Sequence, residues 1–308
     1  MNEESKKPWG DKIAVAMIHG SGKQGPTFAD KLIAAIKADF SNLVKNVDVD
    51  SCLIFKPLYW APIMQVPEDE LWDKMKKFDL PWKPLRKFVV SYAADAFAYQ
   101  PSPNEKDVYD RIHAVVAKSL HHLALEAGEN APLCVIGHSL GTVITSNYFH
   151  DISHNIPISK IVRVHIHDNP LEQGKTLVLF YTMGCPIALW GVRFKNFGKP
   201  ISVPAKEVGD FDPPVKGGWI NLHERHDVFS FPLRPLNNEY SAIVRDCSVK
   251  IGNCISHWLP TCHMHYWSSR GVASCIAEGL ASIWCTIKNK TFEPKRRSFC
   301  FCNKKCYR

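Results

Sequence analysis

The chain has 308 residues, of which 45% are hydrophobic and 22% are charged, so it contains enough apolar material for a large core. Its net charge is +8, but residues 288–308 hold eight Lys/Arg and one acid, which leaves the remainder nearly neutral. This distribution argues against a nucleic-acid-binding domain, because such a domain carries a basic face of its own.

The polar start and the length of the apolar runs both bear on location. Residues 1–12 are polar and charged, unlike a secretory signal peptide. No run approaches the ~18 to 20 apolar residues of a membrane span. The eleven cysteines are too dilute for a disulfide scaffold, and Cys52 and Cys134 fall inside apolar runs, so we expect reduced thiols. We therefore expect a cytoplasmic protein.

Strand-like and helix-like patterns alternate along the chain. Apolar runs predict strands over 12–18, 49–55, 132–137, 176–181, 219–223 and 247–251. Helical spacing predicts helices from residue 27, over 105–127, after residue 139 and over 268–287. This alternation predicts an α/β fold with one mainly parallel sheet that is covered by helices on both faces.

A glycine-rich loop follows the first predicted strand, over residues 19–26. A phosphate-binding P-loop needs Gly-x-x-x-x-Gly-Lys-Ser/Thr. Here Gly22 and Lys23 are followed by Gln24, and Met17 stands where the first glycine belongs. We therefore predict neither nucleotide binding nor another cofactor.

Residues 57–104 interrupt the alternation. They are rich in large aromatic side chains, and their prolines predict short helices. One interpretation is a lid or cap over an apolar pocket. The other is that the aromatic side chains pack a helix onto the core, and both interpretations stay open.

The polar stretch from 150 to 174 contains His165 and His167. A His-x-His pair on a strand points both rings to one face, as a metal site requires. No paired-cysteine or His-Glu-x-x-His spacing accompanies it. We interpret these residues as surface histidines and predict no metal site.

The stretch over residues 132–142 is the most informative in the chain. An apolar run enters Gly137-His138-Ser139-Leu140-Gly141, and a helix-like pattern leaves it. This is the strand–turn–helix context of a nucleophile elbow. The turn is so sharp that Ser139 must adopt a strained backbone, and the flanking glycines remove side chains that would collide with it.

Three further candidates follow predicted strands: the His19-Gly20-Ser21 loop, Asp227 and His263. The order serine, acid, histidine is that of the α/β-hydrolase triad. Over roughly residues 12–287 the chain resembles the α/β-hydrolase superfamily, and looks most like its lipase- and esterase-type members. The resemblance implies the α/β-hydrolase fold over 1–287, with 57–104 as a lid insertion.

The resemblance also implies a role for each candidate. Ser139 is the nucleophile, His263 the base that takes its proton, and Asp227 the acid that holds the histidine in the right tautomer. The backbone N–H groups of Leu140 and Ser21 form the oxyanion hole.

Two of these assignments have local competitors. His265 lies two residues from His263, and motif position favours His263 because it stands three residues before Tyr266. Glu224 competes with Asp227, which is favoured because the residues after it resemble the family's Asp-x-Val/Ile element. The base and the acid therefore each keep one alternative.

These residues predict a serine hydrolase that cleaves carboxylic esters through an acyl-enzyme, without a metal. The aromatic segment favours lipid or other apolar acyl esters. One alternative is a non-catalytic binding or scaffold protein on the same fold. The other is a metal-dependent hydrolase that uses the histidines near 165 and 263.

Residues 288–308 form a basic tail in which aromatic and cysteine side chains alternate with Lys and Arg. This composition predicts peripheral contact with anionic membrane, together with acylation of the thiols. The Cys-x-Cys-x-x-x-Cys spacing could instead contribute to a metal site, and a solvated, disordered tail is the remaining alternative. We expect truncation after Ile287 to lower binding to anionic vesicles if the membrane hypothesis is right.

Overall fold

The computed structural model describes residues 6–22, 24–100, 107–154, 156–252 and 260–292. Within these residues the chain forms an α/β fold on a sheet of parallel strands. The strands are β1 Lys7–Pro8, β2 Ile13–Ile18, β3 Leu53–Leu58, β4 Leu133–His138, β5 Leu177–Met183, β6 Phe211–Asp212, β7 Gly218–His223 and β8 Val244–Ser248.

Helices flank the sheet. The α-helices are α1 Asp30–Leu43, α2 Val49–Cys52, α3 Pro62–Met75, α4 Lys83–Ala98, α5 Asp107–Ala127, α6 Leu140–Ser153, α7 Lys160–Arg163, α8 Ile187–Gly191, α9 Asn238–Ile243 and α10 Arg270–Ile287. Short 3-10 helices cover Lys195–Phe197, Lys206–Asp210, Arg234–Leu236 and Pro260–Ser268.

Six strands lie in the order β3-β2-β4-β5-β7-β8, and every neighbouring pair is parallel. A separate pair joins β1 to β6, also in parallel. The predicted mainly parallel sheet is therefore confirmed. Because the six strands run in one direction, their carboxyl ends share one edge of the sheet, and this is where ligand sites form in such folds.

The sheet separates two apolar cores. Alternate residues of β2, from Ile13 to Ile18, belong to one core or the other, because successive side chains of a strand point to opposite faces. Helices α1 and α10 pack into the first core, and α5 and α6 pack into the second. Burial on both faces explains why the strand sequences are apolar almost throughout.

Two predicted strands are displaced. The strand predicted over 49–55 begins as the one-turn helix α2, because the Asp48 side chain accepts a hydrogen bond from the Asp50 N–H and caps that turn. The strand predicted over 247–251 is β8, which ends at Ser248 because its pairing with β7 ends there. In both cases a local cap or a strand partner outweighs the apolar pattern.

The 57–104 segment contains two helices, α3 and α4, of 14 and 16 residues. They are longer than predicted, because a proline in the first turn of each helix falls where its missing N–H is not needed. A further proline, Pro67, lies inside α3. Residues 101–104 fall outside the described residues.

Most of the described cysteines behave as small apolar core residues. Six buried thiols lie outside any disulfide, namely those of Cys52, Cys134, Cys185, Cys247, Cys262 and Cys285. Burial raises the pKa of the Cys134 thiol well above its ordinary value, which keeps it protonated. Cys275 is disulfide-bonded, so the expectation of reduced thiols is wrong at that position.

Only the start of the basic tail is described. Lys288 pairs with the exposed carboxylate of Asp11, and Lys290 lies 4.8 Å from the centroid of the Trp284 ring. Residues 293–308 lie outside the described residues, so membrane contact and acylation stay predictions. Among the helices described, none is both long enough and apolar enough to cross a bilayer.

Candidate active site

Ser139 occupies a strained turn between β4 and α6. Its backbone has φ 53° and ψ −128°, and its N–H donates to the Met183 carbonyl at 2.9 Å. The turn needs the flanking glycines, because a Cβ at Gly141 would lie 2.6 Å from the His19 carbonyl oxygen. A Cβ at Gly137 would lie 3.0 Å from the following helix. The predicted elbow geometry is therefore present.

The three residues predicted as a triad lie in one chain of hydrogen bonds. Ser139 Oγ lies 2.8 Å from His263 Nε2, and His263 Nδ1 lies 2.8 Å from Asp227 Oδ2. With Nδ1 protonated, the ring donates to the carboxylate and accepts the serine hydroxyl proton at Nε2. Each of the three residues is at most 3% exposed, so water competes little for these contacts.

Asp227 is fixed by two further donors. The Phe229 N–H donates to Oδ1 at 3.0 Å, and the Tyr266 hydroxyl donates to Oδ2 at 3.1 Å. Burial raises the pKa of Tyr266 well above its ordinary value, so the hydroxyl stays protonated. The Tyr266 hydroxyl oxygen also accepts a hydrogen bond from the Glu224 N–H at 3.0 Å. The carboxylate is therefore held in the orientation that the histidine needs.

His263 is positioned from two sides. His138 donates its Nε2–H to the His263 carbonyl at 2.8 Å, and the two ring centroids are 4.8 Å apart. Burial, followed by the nearby His263, lowers the pKa of His138 well below its ordinary value, so His138 stays neutral. On the other side, a Cβ at Gly184 would lie 2.9 Å from His263 Cε1.

The two competing residues make other contacts. The Glu224 carboxylate accepts the Ile251 N–H at 3.0 Å and contacts His226 Nδ1 at 3.1 Å. His265 is half-buried on the same 3-10 helix as His263, but in the described structure its ring has no hydrogen bond to Ser139 or Asp227. The structure thus brings His263 and Asp227 to the serine, and it does not bring His265 or Glu224.

The loop after β2 lies directly against the serine. A Cβ at Gly20 would lie 2.4 Å from Ser139 Cβ and 3.0 Å from its Oγ, so only glycine fits. Ser21 follows this contact immediately. Leu140 is the first residue of α6, where an N–H has no intrahelical partner. The two backbones predicted to form an oxyanion hole therefore adjoin the nucleophile.

His19 supports this loop. Its Nδ1–H donates to the Gly20 carbonyl at 2.8 Å, and its Nε2 accepts the N–H groups of Trp60 and Ala61 at 3.2 and 3.3 Å. Burial lowers the pKa of His19 to about 4, so the ring is neutral near pH 7. His19 therefore acts as a structural clamp rather than as a proton carrier.

A buried carboxyl joins the same loop to α4. The Gly22 N–H donates to Asp95 Oδ2 at 2.9 Å, and Asp95 is 2% exposed. Burial, opposed by the Gly22 hydrogen bond and assisted by the neighbouring Glu68 carboxyl, raises the pKa of Asp95 to about 8. Asp95 is therefore largely protonated at neutral pH.

This carboxyl predicts a pH dependence of stability. Because the folded pKa lies above the ordinary 3.8, the stability that Asp95 contributes is present in acid and is lost as pH rises through about 8. Relative to Asp95→Asn, the wild type should therefore lose stability between about pH 4 and pH 8. Urea unfolding across this range measures the difference. Asp69→Asn, at an exposed position on α3, is the control, and parallel curves for wild type and Asp95→Asn would contradict the prediction.

Gly184→Ala should displace the His263 ring. Gly184 has φ 57°, and the added Cβ would press on the His263 ring. For the ester hydrolysis predicted from the sequence, with His263 as the base, we expect a fall of about 10²-fold, as for a misplacement near 1 Å. Gly128→Ala is the matched control, because Gly128 has φ 101° and open space around the added Cβ. Equal loss of activity in both variants would assign the effect to backbone strain.

Sequence reasoning missed the residues that position the triad. His138 occupies the variable position before the serine, and Tyr266 served only as a landmark for the histidine. Asp95 and Gly184 lie outside the sequence motifs that predict the site. The available signal for Gly184 was its place directly after a buried strand, where a turn with positive φ is common.

Comparison with known proteins leaves the family resemblance untested. Neither the protein-family models nor the curated proteins compared with this chain give a match.

Proposed function

We propose that this protein is a serine hydrolase of the α/β-hydrolase fold that cleaves carboxylic esters through an acyl-enzyme. The observation that carries the proposal is the pair of 2.8 Å hydrogen bonds that joins Ser139 to His263 and His263 to Asp227. A nucleophile within hydrogen-bond reach of a base, which is itself oriented by a third group, is the signature of an activated nucleophile.

Acylation uses each of these groups once. Ser139 Oγ attacks the ester carbonyl carbon while its proton passes to His263 Nε2. The carbonyl oxygen becomes an oxyanion, and the Asp227 carboxylate stabilises the imidazolium. When the tetrahedral intermediate collapses, the bond to the alcohol breaks and His263 returns the proton to the leaving oxygen.

Deacylation repeats the sequence with water. His263 takes a proton from water, the resulting hydroxyl attacks the acyl carbon, and the proton returns to Ser139 Oγ. The N–H groups of Leu140 and Ser21 would stabilise the oxyanion in both halves. Removing one such donor typically lowers the rate by about 10²–10³-fold.

Exposed apolar side chains favour an apolar acyl substrate. Val228 and Met264, which directly follow Asp227 and His263, are 63% and 44% exposed. On the segment that we interpret as a lid, the exposed large apolar side chains are those of Val66, Leu71, Phe78, Trp82 and Phe97. Exposed apolar surface beside a reactive serine suits a lipid or another long-chain acyl ester.

The lid interpretation rests on contacts between α4 and the site. The Tyr92 ring packs on Phe229 with a centroid distance of 4.5 Å, and Phe229 packs on His263 at 5.1 Å. Asp95 of the same helix holds the loop that contains Ser21 through the Gly22 N–H. A movement of α4 would therefore displace both His263 and the loop that contains Ser21 and Gly22.

The contacts of His263 favour the serine mechanism over a metal-dependent one. Both ring nitrogens already face Ser139 and Asp227, so neither is directed towards His165. A metal-dependent hydrolase would keep its turnover in Ser139→Ala and lose it on chelation. The serine mechanism instead predicts that Ser139→Ala loses its turnover.

A panel of nitrophenyl esters of increasing acyl length tests the proposal. We expect turnover by the purified protein, with kcat/KM rising from acetyl towards longer chains because the surface beside the triad is apolar. Turnover that is highest for acetyl would contradict the substrate class. A folded protein that hydrolyses no member of the panel would favour a binding or scaffold role.

A further inference from the structure

A second cluster of titratable side chains lies away from the serine. His121 is on α5, and His167 and Glu172 are in the connection between α7 and β5. His121 Nδ1 lies 2.9 Å from Glu172 Oε1, and His167 Nδ1 lies 3.0 Å from Glu172 Oε2. The proposed ester chemistry uses none of these three residues.

The cluster lies at the opposite edge of the sheet from Ser139. The Leu171 N–H donates to the Glu129 carbonyl, and Glu129 stands four residues before Leu133, the first residue of β4. Ser139 stands just after the last residue of the same strand. Six residues of strand separate the two ends by about 20 Å. A ligand held by this cluster would not reach the ester carbonyl.

The Glu172 carboxylate is buried, and each of its oxygens has more than one hydrogen-bond partner. Its side chain is 1% exposed. Asn169 Nδ2 donates to Oε1 at 2.7 Å, and the His167 N–H donates to Oε2 at 2.8 Å. Each carboxylate oxygen has two lone pairs, so one remains on each oxygen and faces an imidazole nitrogen. The Asn169 side chain and the His167 N–H orient the carboxylate, as hydrogen bonds around a metal site orient a metal-binding carboxylate.

The two imidazoles converge on this carboxylate and are open to solvent. Their rings stack with a centroid distance of 4.2 Å, and the three candidate ligand atoms all lie within 4.8 Å of one another. The side chains of His121 and His167 are 31% and 53% exposed, and His167 lines a surface cavity of about 990 Å³. An ion can therefore enter, and each ring would need to rotate to direct its own Nδ1 at an ion beside the carboxylate.

We propose that His121, His167 and Glu172 bind one Zn²⁺ ion. The ligands are the Nδ1 atoms of the two histidines and one oxygen of the carboxylate, and a water molecule completes four-fold coordination. Two imidazoles and a carboxylate are a ligand set that zinc accepts readily. Coordination through Nδ1 requires the ring proton on Nε2, which an exposed imidazole can reach by exchange with water.

The bound ion would tie α5 to the connection before β5. These two segments lie far apart in the sequence, so an ion held between them binds the folded chain and not the unfolded one. A ligand of that kind raises the unfolding temperature in proportion to the logarithm of its concentration. The proposed role is therefore structural.

Isothermal titration of the full-length, chelator-stripped protein with zinc chloride tests the site. We expect one equivalent of Zn²⁺ to bind the wild type and the unfolding temperature to rise by several degrees. His167→Asn and His121→Asn should each weaken binding at least about tenfold, because each removes one of three ligands. Ser139→Ala should bind zinc like the wild type.

His154→Asn is the matched control, because it removes an exposed imidazole that stacks on His150 rather than one in the cluster. It should leave zinc binding unchanged. Absence of stoichiometric binding in the wild type would overturn the proposal. It would also be overturned if His167→Asn and His121→Asn bound zinc as tightly as the wild type, or if His154→Asn abolished binding. His167 is exposed, so its variant is expected to fold even where a change at His121 does not.

Discussion

Ser139→Ala is expected to lower kcat/KM for nitrophenyl ester hydrolysis by about 10³-fold or more. The substitution removes the hydroxyl that we propose attacks the ester carbonyl, and it leaves His263 facing a methyl group. The remaining rate would come from the oxyanion donors and from substrate binding, which do not depend on the serine hydroxyl. Steady-state kinetics on the ester that the wild type cleaves best measure the loss.

Ser21→Ala is the matched control for this experiment. Both substitutions remove one hydroxyl from a buried or half-buried serine at the same edge of the sheet. The proposed role of Ser21 belongs to its backbone N–H, so Ser21→Ala should stay close to the wild-type rate. The triad assignment would be contradicted if Ser139→Ala, folded by circular dichroism, kept the wild-type kcat/KM.

His263→Ala and His265→Ala should differ in kcat by about 10³-fold. His263 contacts both the nucleophile and the acid, whereas His265 has no hydrogen bond to either in the described structure. Removing His263 leaves the serine hydroxyl without a proton acceptor. Removing His265 should leave kcat near the wild-type value.

The two histidines make this comparison well controlled. They lie two residues apart on one 3-10 helix, so general damage to that segment would affect both variants. Kinetics and unfolding temperatures of the two proteins should therefore be measured side by side. An inactive His265→Ala protein beside an active His263→Ala protein would reverse the assignment of the base.

The elbow turn at Ser139 was predictable because its signal is local. Gly137, Ser139 and Gly141 lie within five residues, and each is needed by one sharp turn. The parallel sheet was predictable for a related reason, since strands buried on both faces are apolar almost throughout. These features depend on short stretches of sequence and on elementary sterics.

The contacts that position the triad could not be predicted in this way. His138 reaches the His263 carbonyl across 125 positions of sequence, and Tyr266 reaches Asp227 across 39. Such pairs form when distant segments pack together. Neither His138 nor Tyr266 belongs to a sequence motif that identifies its partner. The sequence therefore indicates Ser139, Asp227 and His263 as candidate reacting groups, but not the contacts that hold them.

The histidines away from the serine give a second example. In the sequence, His167 is paired with His165 as a His-x-His motif, because the two lie two residues apart. The structure instead joins His167 to Glu172 and to His121, which belongs to a different helix. The shift at α2 has a similar origin, because the Asp48 cap outweighs the apolar pattern that follows it.

Mass spectrometry after reaction with a fluorophosphonate tests the central claim most directly. Such probes phosphonylate a serine whose hydroxyl is activated by a neighbouring base, and the adduct is stable enough for peptide mapping. We predict one adduct per chain, on Ser139, and none in the folded Ser139→Ala variant. A folded wild-type protein that stays unlabelled, or one that carries its adduct on another residue, would contradict the assignment of Ser139 as an activated nucleophile.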